Sequence, residues 1–229
     1  MTQRRPKRLT AGWKVLAGVA VTALVYTFFC VSIIVQSVED SNSAWNRGYK
    51  RGKALAEQMR VEDDAGEVRA MPLFLQTDPA WKDAAYASGS IETHGCGLCC
   101  LSMALSYLTK DNVYPNELCE YQGDFLEGDY NDPDRMAQWA KDTYGLEWSG
   151  ELWGIEGIDA CFANGWHTMI VDVGGPLGEE TYESHLILVY GIVDGMYLVR
   201  DPNSGSNSVR LFSRSELIDA EIGSVNALR

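Results

Sequence analysis

Basic charge is missing from most of this chain. Five of its 19 Lys and Arg stand in the first fourteen residues, where there is no acidic side chain; the rest carries 14 against 32 Asp and Glu, a net of −18. Such a body repels phosphates, which excludes nucleic acid as a partner, and it offers no second basic patch to anionic lipid. A solvated acidic surface accounts for most of the charge and says little about a substrate. Cysteines at metal-ligand spacing are lacking too: only one Cys-x-x-C occurs, with no second pair to complete a zinc site. There is no internal repeat, and nothing calls for a cofactor. Histidine is rare, with three in 229 residues, so a general base has few candidates.

The opposite of scarcity is found near the N-terminus. Residues 15–35 are 21 positions without a charge, long enough to cross a bilayer as a helix. Arg4, Arg5, Lys7, Arg8 and Lys14 precede the run, and Glu39 and Asp40 follow it. This asymmetry predicts a cytoplasmic tail over 1–14, a single-pass signal anchor over 15–36 in the cell membrane, and an extracellular remainder. A cleaved signal peptide would have a shorter apolar core ending in a small-residue site. Residues 37–70 are polar, alternate in charge and lack a core-forming run; they read as a stalk, with 71–229 as the folded domain. On the outer side lie Cys96, Cys99, Cys100, Cys119 and Cys161. An odd count in an oxidising compartment predicts two disulfides and one free thiol.

The chain is organised around residues 94–108, HGCGLCCLSMALSYL. Leu98, Leu101, Leu105 and Leu108 recur at helical steps, so a buried helix follows Gly95-Cys96-Gly97. Cys96 then sits where unpaired N–H groups and the helix dipole favour an anion. A thiol there is a nucleophile, and the flanking glycines leave a substrate room to reach it. Further on, a helix opens at Asp132-Pro133 and closes at Gly145, with Met136, Trp139, Ala140 and Tyr144 facing inward. Another runs over 154–164. Residues 166–173 and 185–193 read as strands, the second apolar on both faces and therefore central. Asp194-Gly195 turns it into 196–200. Ser213 and Glu216 form a capping box.

A cysteine nucleophile needs a base, and the base needs a partner to orient it. His94 is too close along the chain to Cys96, and His167 opens a strand beside Trp166. His185 enters the central strand, and Asp201 ends the paired one. A strict two-residue loop would set Asp201 opposite Leu188, on the wrong face from His185. The pairing therefore predicts a bulge or an odd-length loop in this hairpin. Gln76 would donate a side-chain N–H to an oxyanion, beside the backbone N–H of Cys96.

Four motifs in order carry a resemblance: Gln76-Thr77-Asp78-Pro79-Ala80-Trp81; Gly95-Cys96-Gly97 with Leu101-Ser102-Met103-Ala104-Leu105; Ser184-His185-Leu186-Ile187-Leu188-Val189; and Val199-Arg200-Asp201-Pro202-Asn203. Together they resemble cysteine-peptidase family thirty-nine, the bacteriocin-processing type, in its stand-alone branch. The resemblance implies an α+β, papain-like domain with an N-terminal helical part and a C-terminal antiparallel sheet. It implies catalytic roles for Cys96 (nucleophile), His185 (base), Asp201 (orienting partner) and Gln76 (oxyanion donor), acting on a peptide or protein substrate. Leu98-Cys99-Cys100 stands where members often carry a small polar pair. Two other readings use the same residues: a silent papain-like binding or scaffolding module, if Cys96 were bridged, and a dithiol redox protein using Cys96 and Cys99.

Overall fold

The computed structural model describes Thr27, Val31, Ser32, Val61–Glu62, Val68–Arg69 and residues 70–229. The chain divides into two units, Met1–Arg47 and Gly48–Arg229. In the first, the three described residues are helical. The tail over 1–14 and most of the anchor over 15–36 lie outside the described residues. Among the described residues, no helix is long and apolar enough to cross a membrane. Most of the stalk over 37–70 also lies outside them. Two short segments within it, Val61–Glu62 and Val68–Arg69, pair antiparallel, a pairing that its polar composition does not suggest.

In the second unit, a short helix α1 (Ile91–His94) leads through Gly95 into α2 (Cys96–Thr109). Residues Gly97 through Ser106 of α2 are all buried, so this helix is core on every side along most of its length. Helix α3 (Pro133–Tyr144) starts as its sequence dictates. The Asp132 carboxylate accepts from the N–H groups of Asp134 and Arg135, and proline occupies the first turn. It ends at Gly145 with φ of 70°. Met136 and Ala140 face inward as expected, but Tyr144 is exposed, its ring lying against the edge of Trp139.

Three further two-stranded hairpins (Ala85–Tyr86 with Gly89–Ser90, Leu126–Glu127 with Tyr130–Asn131, Pro176–Leu177 with Glu180–Thr181) stand apart from the main sheet, whose six strands are all antiparallel. They are β1 (Trp148–Trp153), β2 (Met169–Val173), β3 (His185–Val193), β4 (Met196–Arg200), β5 (Leu211–Phe212) and β6 (Ile222–Leu228), in the spatial order β5-β4-β3-β2-β6-β1. Strand β3 lies inside the sheet between β2 and β4. Its alternate residues feed two cores. Leu186, Leu188 and Tyr190 join the cluster built on α2 and α3, while Ile187 and Val189 join one with Ile158 and Cys161 of α4 (Gly154–Ala163) and Leu217 of α5 (Arg214–Asp219). Burial on both faces explains the unbroken apolar run. The architecture is the expected α+β arrangement; α1–α3 precede the antiparallel sheet, whereas α4 and α5 fall between its strands. Strands β1 and β6 have no counterpart in the sequence reading, because Trp148-Ser149-Gly150-Glu151 and Ile222-Gly223-Ser224 lack an apolar alternation.

The predicted disulfides are not there. All five described cysteines are free. Cys99 and Cys100 are fully buried in α2, where Cys100 Sγ donates to the Leu186 carbonyl at 3.3 Å. Cys119 Sγ turns to the carbonyl of Pro115, and Cys161 packs in the core on the other face of the sheet. An odd cysteine count is a statement about composition. Bridging requires Cα atoms within about 7 Å and side chains that converge.

Candidate active site

Cys96 is the first residue of α2, with Gly95 as N-cap, and it is half-buried. Both flanking glycines are required by contact. A Cβ on Gly95 would come within 2.5 Å of the Ile91 carbonyl, and one on Gly97 within 2.7 Å of Asn131. Cys96 thus lies at the positive end of a fourteen-residue helix, in the position its motif indicates.

The β3–β4 hairpin contains the bulge that parity demands. Asp194 and Gly195 take φ of 51° and 75°, a two-residue turn that pairs Val193 with Met196. The register then slips between Val189 and Gly191, leaving Tyr190 as the extra residue, and Leu188 comes opposite Arg200. One residue further, Asp201 comes level with Ile187, on the side of the strand that carries His185. Its carboxylate meets His185 Nε2 at 2.8 Å.

Asp201 is wholly buried, yet it sits in a nest of donors. Oδ1 also accepts from the Asn203 N–H at 2.9 Å. Oδ2 accepts from the Tyr182 hydroxyl at 2.8 Å and from Asn207 Nδ2 at 2.9 Å. Burial pushes this carboxyl up, but the hydrogen bond and charge of His185, with help from Asn207 and Asn203, hold it below its ordinary value. The backbone of the segment is locked as well: the Asp201 N–H donates to Ser208 Oγ at 2.8 Å. The buried Arg200 guanidinium donates to the carbonyls of Met71 and Ser208, tying this loop to the start of the domain.

His185 is buried and faces both neighbours. Burial favours its neutral form. The hydrogen bond to Asp201, then that to Cys96, and the charges of both outweigh it and raise the imidazole from 6.5 to about 9. With Nε2 engaged by Asp201, Nδ1 is the nitrogen left for the sulfur. The Tyr182 ring stacks on the imidazole, centroids 4.0 Å apart and planes 20° from parallel.

Gln76 is the fourth residue singled out by sequence. Its backbone N–H donates to the Pro202 carbonyl at 2.8 Å, and its Nε2 to the Glu92 carbonyl at 2.7 Å. It therefore links the segment just past Asp201 to the helix just before Cys96. One amide hydrogen is taken by Glu92, and Oε1 is buried with no partner in the protein. The neighbouring Trp81 holds this segment through Nε1 to the Leu75 carbonyl, 2.8 Å. His94 Nδ1 lies 2.8 Å from Thr93 Oγ1, and His167 lies against Phe162.

A cavity of about 390 Å³ opens beside the sulfur, lined by Cys96 and His94 with Asn131, Asp172, Leu186 and Ser224 among others. Asn131 Nδ2 donates to the His94 carbonyl at 2.8 Å and reaches to 3.7 Å from Cys96 Sγ; its Oδ1 accepts from Tyr86. Asn131, Tyr182, Asn207 and Asp172 were not singled out in the sequence. The dense Asn and Ser run after Asp201 is the one signal that points to Asn207. Tyr182 sits at a loop position without periodicity. Among the described residues no group of His, Cys, Asp and Glu is arranged to hold a metal.

No family model matches the chain, and no curated protein does. Solved structures do. The chain is similar to C39-type peptidase domains. The peptidase domain of Streptococcus ComA, a bifunctional ABC transporter of a quorum-sensing pathway, is 19% identical, with 69% of this chain and 97% of that one covered and a TM-score of 0.46. A C39-like peptidase from Bacillus anthracis is 16% identical over 69% and 94% of the two chains, TM-score 0.46. A double glycine motif protease of an AMS/PCAT transporter, solved with a leader peptide, is 18% identical over 69% and 89%, TM-score 0.46.

Proposed function

We propose that this protein is a cysteine-peptidase-like hydrolase that opens a peptide or related amide bond. The observation that supports the reading is one imidazole held between a buried carboxylate at 2.8 Å and the thiol at the start of a long helix, with a cavity alongside. An imidazolium next to a thiol favours the thiolate, which is the nucleophile. The Cys96 sulfur attacks the carbonyl carbon. The oxyanion that forms takes the backbone N–H of Cys96 and the second amide hydrogen of Gln76. His185 gives its Nδ1 proton to the leaving nitrogen, the C–N bond breaks, and a thioester remains. Water then loses a proton to His185 and attacks the thioester; the C–S bond breaks, releasing the acid and the Cys96 thiolate beside the recharged imidazolium. Asp201 keeps the imidazole in the tautomer that can do both.

The second part of the proposal is location: an uncleaved anchor over 15–36, with the domain outside the cell. It rests on the charge asymmetry around the apolar run. Extraction with carbonate and protease accessibility on intact cells test it, and loss of the N-terminal peptide from the mature chain would overturn it.

The chemistry is tested on the full chain purified in detergent without reductant. Iodoacetamide is titrated from pH 5 to 9, with the modified cysteine mapped by mass spectrometry, and a peptide library is screened for cleavage. The expected result is rapid alkylation confined to Cys96, slowed in His185→Ala, and cleavage that Cys96→Ser abolishes. If Cys96 resists until the protein is reduced, the thiol is bridged and a binding module becomes the better account. Cleavage absent throughout, with Cys99 needed for reactivity, would point to the dithiol reading.

A further inference from the structure

We propose that Tyr182 is a positioning residue for the His185–Asp201 pair, its ring setting the plane of the imidazole and its hydroxyl the orientation of the carboxylate. The inference deepens the hydrolase reading and takes its functional meaning from it. Tyr182 touches both members at once: its ring lies on His185 at 4.0 Å, and its hydroxyl donates to Asp201 Oδ2 at 2.8 Å. An imidazole tethered at Nε2 alone can still rock about that bond. A ring laid on its face stops the motion and aims Nδ1 at the sulfur.

The segment bearing Tyr182 is itself fastened to the carboxylate. Its N–H donates to the Gly175 carbonyl at 3.1 Å. Before it, Pro176–Leu177 and Glu180–Thr181 form a small hairpin. The Asn207 amide donates both to the Leu177 carbonyl at 3.0 Å and to Asp201 Oδ2, so hairpin and carboxylate share one side chain. Gly178, with φ of 65°, has no room for a Cβ against Asn207 Oδ1. Burial, then the charge of Asp201, pushes the Tyr182 hydroxyl up, which keeps it a donor across the working range. The titratable groups facing His185 are Cys96 from α2, Asp201 after β4, Asp172 from β2 and Tyr182 itself. The test leaves the first three untouched.

The test is an imidazole NMR titration of the full chain, in which three histidines give few signals and His185→Ala assigns one. Tyr182→Phe keeps the ring and removes one donor from the carboxylate. His185 then faces a stronger acceptor, and its titration moves up by about 0.3 unit. Tyr182→Leu keeps an apolar cover and removes both the ring and the hydroxyl. The stacked π-face favours the charged imidazole by more than the lost donor offsets, so the titration falls by about 0.5 unit. Alkylation of Cys96 at pH 7 slows about tenfold in Leu and about twofold in Phe. Opposite shifts in the two variants are what a merely structural side chain would not produce. A Leu titration unchanged from wild type, or Phe and Leu moving together, would overturn the proposal; should the Leu chain not fold, an unmoved Phe titration does so. A protein that titrates as stated yet cleaves no peptide would sink the hydrolase reading and leave the positioning role standing.

Discussion

Two aspartates face the same imidazole and are driven in opposite directions. Asp201 is the more deeply buried, yet its carboxyl is held below the ordinary value. Asp172, at the cavity wall on β2, is half-buried, and burial raises it against weaker help from the Val173 N–H and the charge of His185. The difference lies in the donors. Asp201 accepts four hydrogen bonds, from His185, Asn203, Tyr182 and Asn207. Gly223 of strand β6 comes so close to Asp172 that a Cβ on it would lie within 2.7 Å of Oδ2. Burial depth does not set the sign of a shift; the solvation that replaces water does.

Asp201 is the site where a substitution costs most. Asp201→Ala leaves buried His185 and Asn207, with Tyr182 and the Asn203 N–H, without their acceptor, and a loss of about 3–5 kcal/mol is expected in urea denaturation at pH 7. Asp201→Asn, which keeps the volume and one acceptor, is expected to lose less.

The pH dependence of stability sharpens the contrast. His185 is raised from 6.5 to about 9, so its contribution is full below pH 6.5 and is lost as pH rises through about 9. It amounts to roughly 3 kcal/mol, and denaturation curves between pH 6 and 10 are expected to show the loss in wild type but not in His185→Ala. Asp201, lowered, stabilises above the ordinary carboxylate value, and that is lost as pH falls through its folded pKa. Asp172, raised, does the reverse: its ionisation costs stability as pH rises past the ordinary value.

Smaller perturbations follow. Gly178→Ala forces a side chain into a left-handed backbone and against Asn207. A loss of about 2 kcal/mol in thermal unfolding is expected, with slower alkylation of Cys96. Asp172→Asn removes a poorly solvated charge and is expected to gain about 0.5–1 kcal/mol near neutral pH, a gain that vanishes below pH 4.

Much of this site was legible in the chain. Cys96 stood out because glycines flank it and an apolar helix follows. His185 and Asp201 stood at the mouths of two strands joined by Asp-Gly, and bringing them to one face required a bulge or an odd-length loop; the structure has a bulge at Tyr190. Gln76 was legible as an amide closing an apolar extended run. Asn207 and Tyr182 were not, since neither belongs to a periodic element and both act through contacts across the fold. Strands β1 and β6 escaped for a related reason: their alternation is diluted by Gly150 and Gly223, and neighbouring strands supply what their own residues do not. The disulfides were read from a count, and the count carries no directions in space.

By itself the sequence reads as loop over the short helix Ile91–His94, but it determined where the helix over 133–144 begins and ends and which strand is central. These follow from local rules of capping, periodicity and turn chemistry. The tertiary structure decided what the side chains became. It left the five described cysteines free. It closed a tyrosine and an asparagine over a buried carboxylate, and it charged an imidazole that burial alone would have kept neutral. Ionisation in an interior depends on the sum of nearby donors and charges, and that sum exists once distant segments meet.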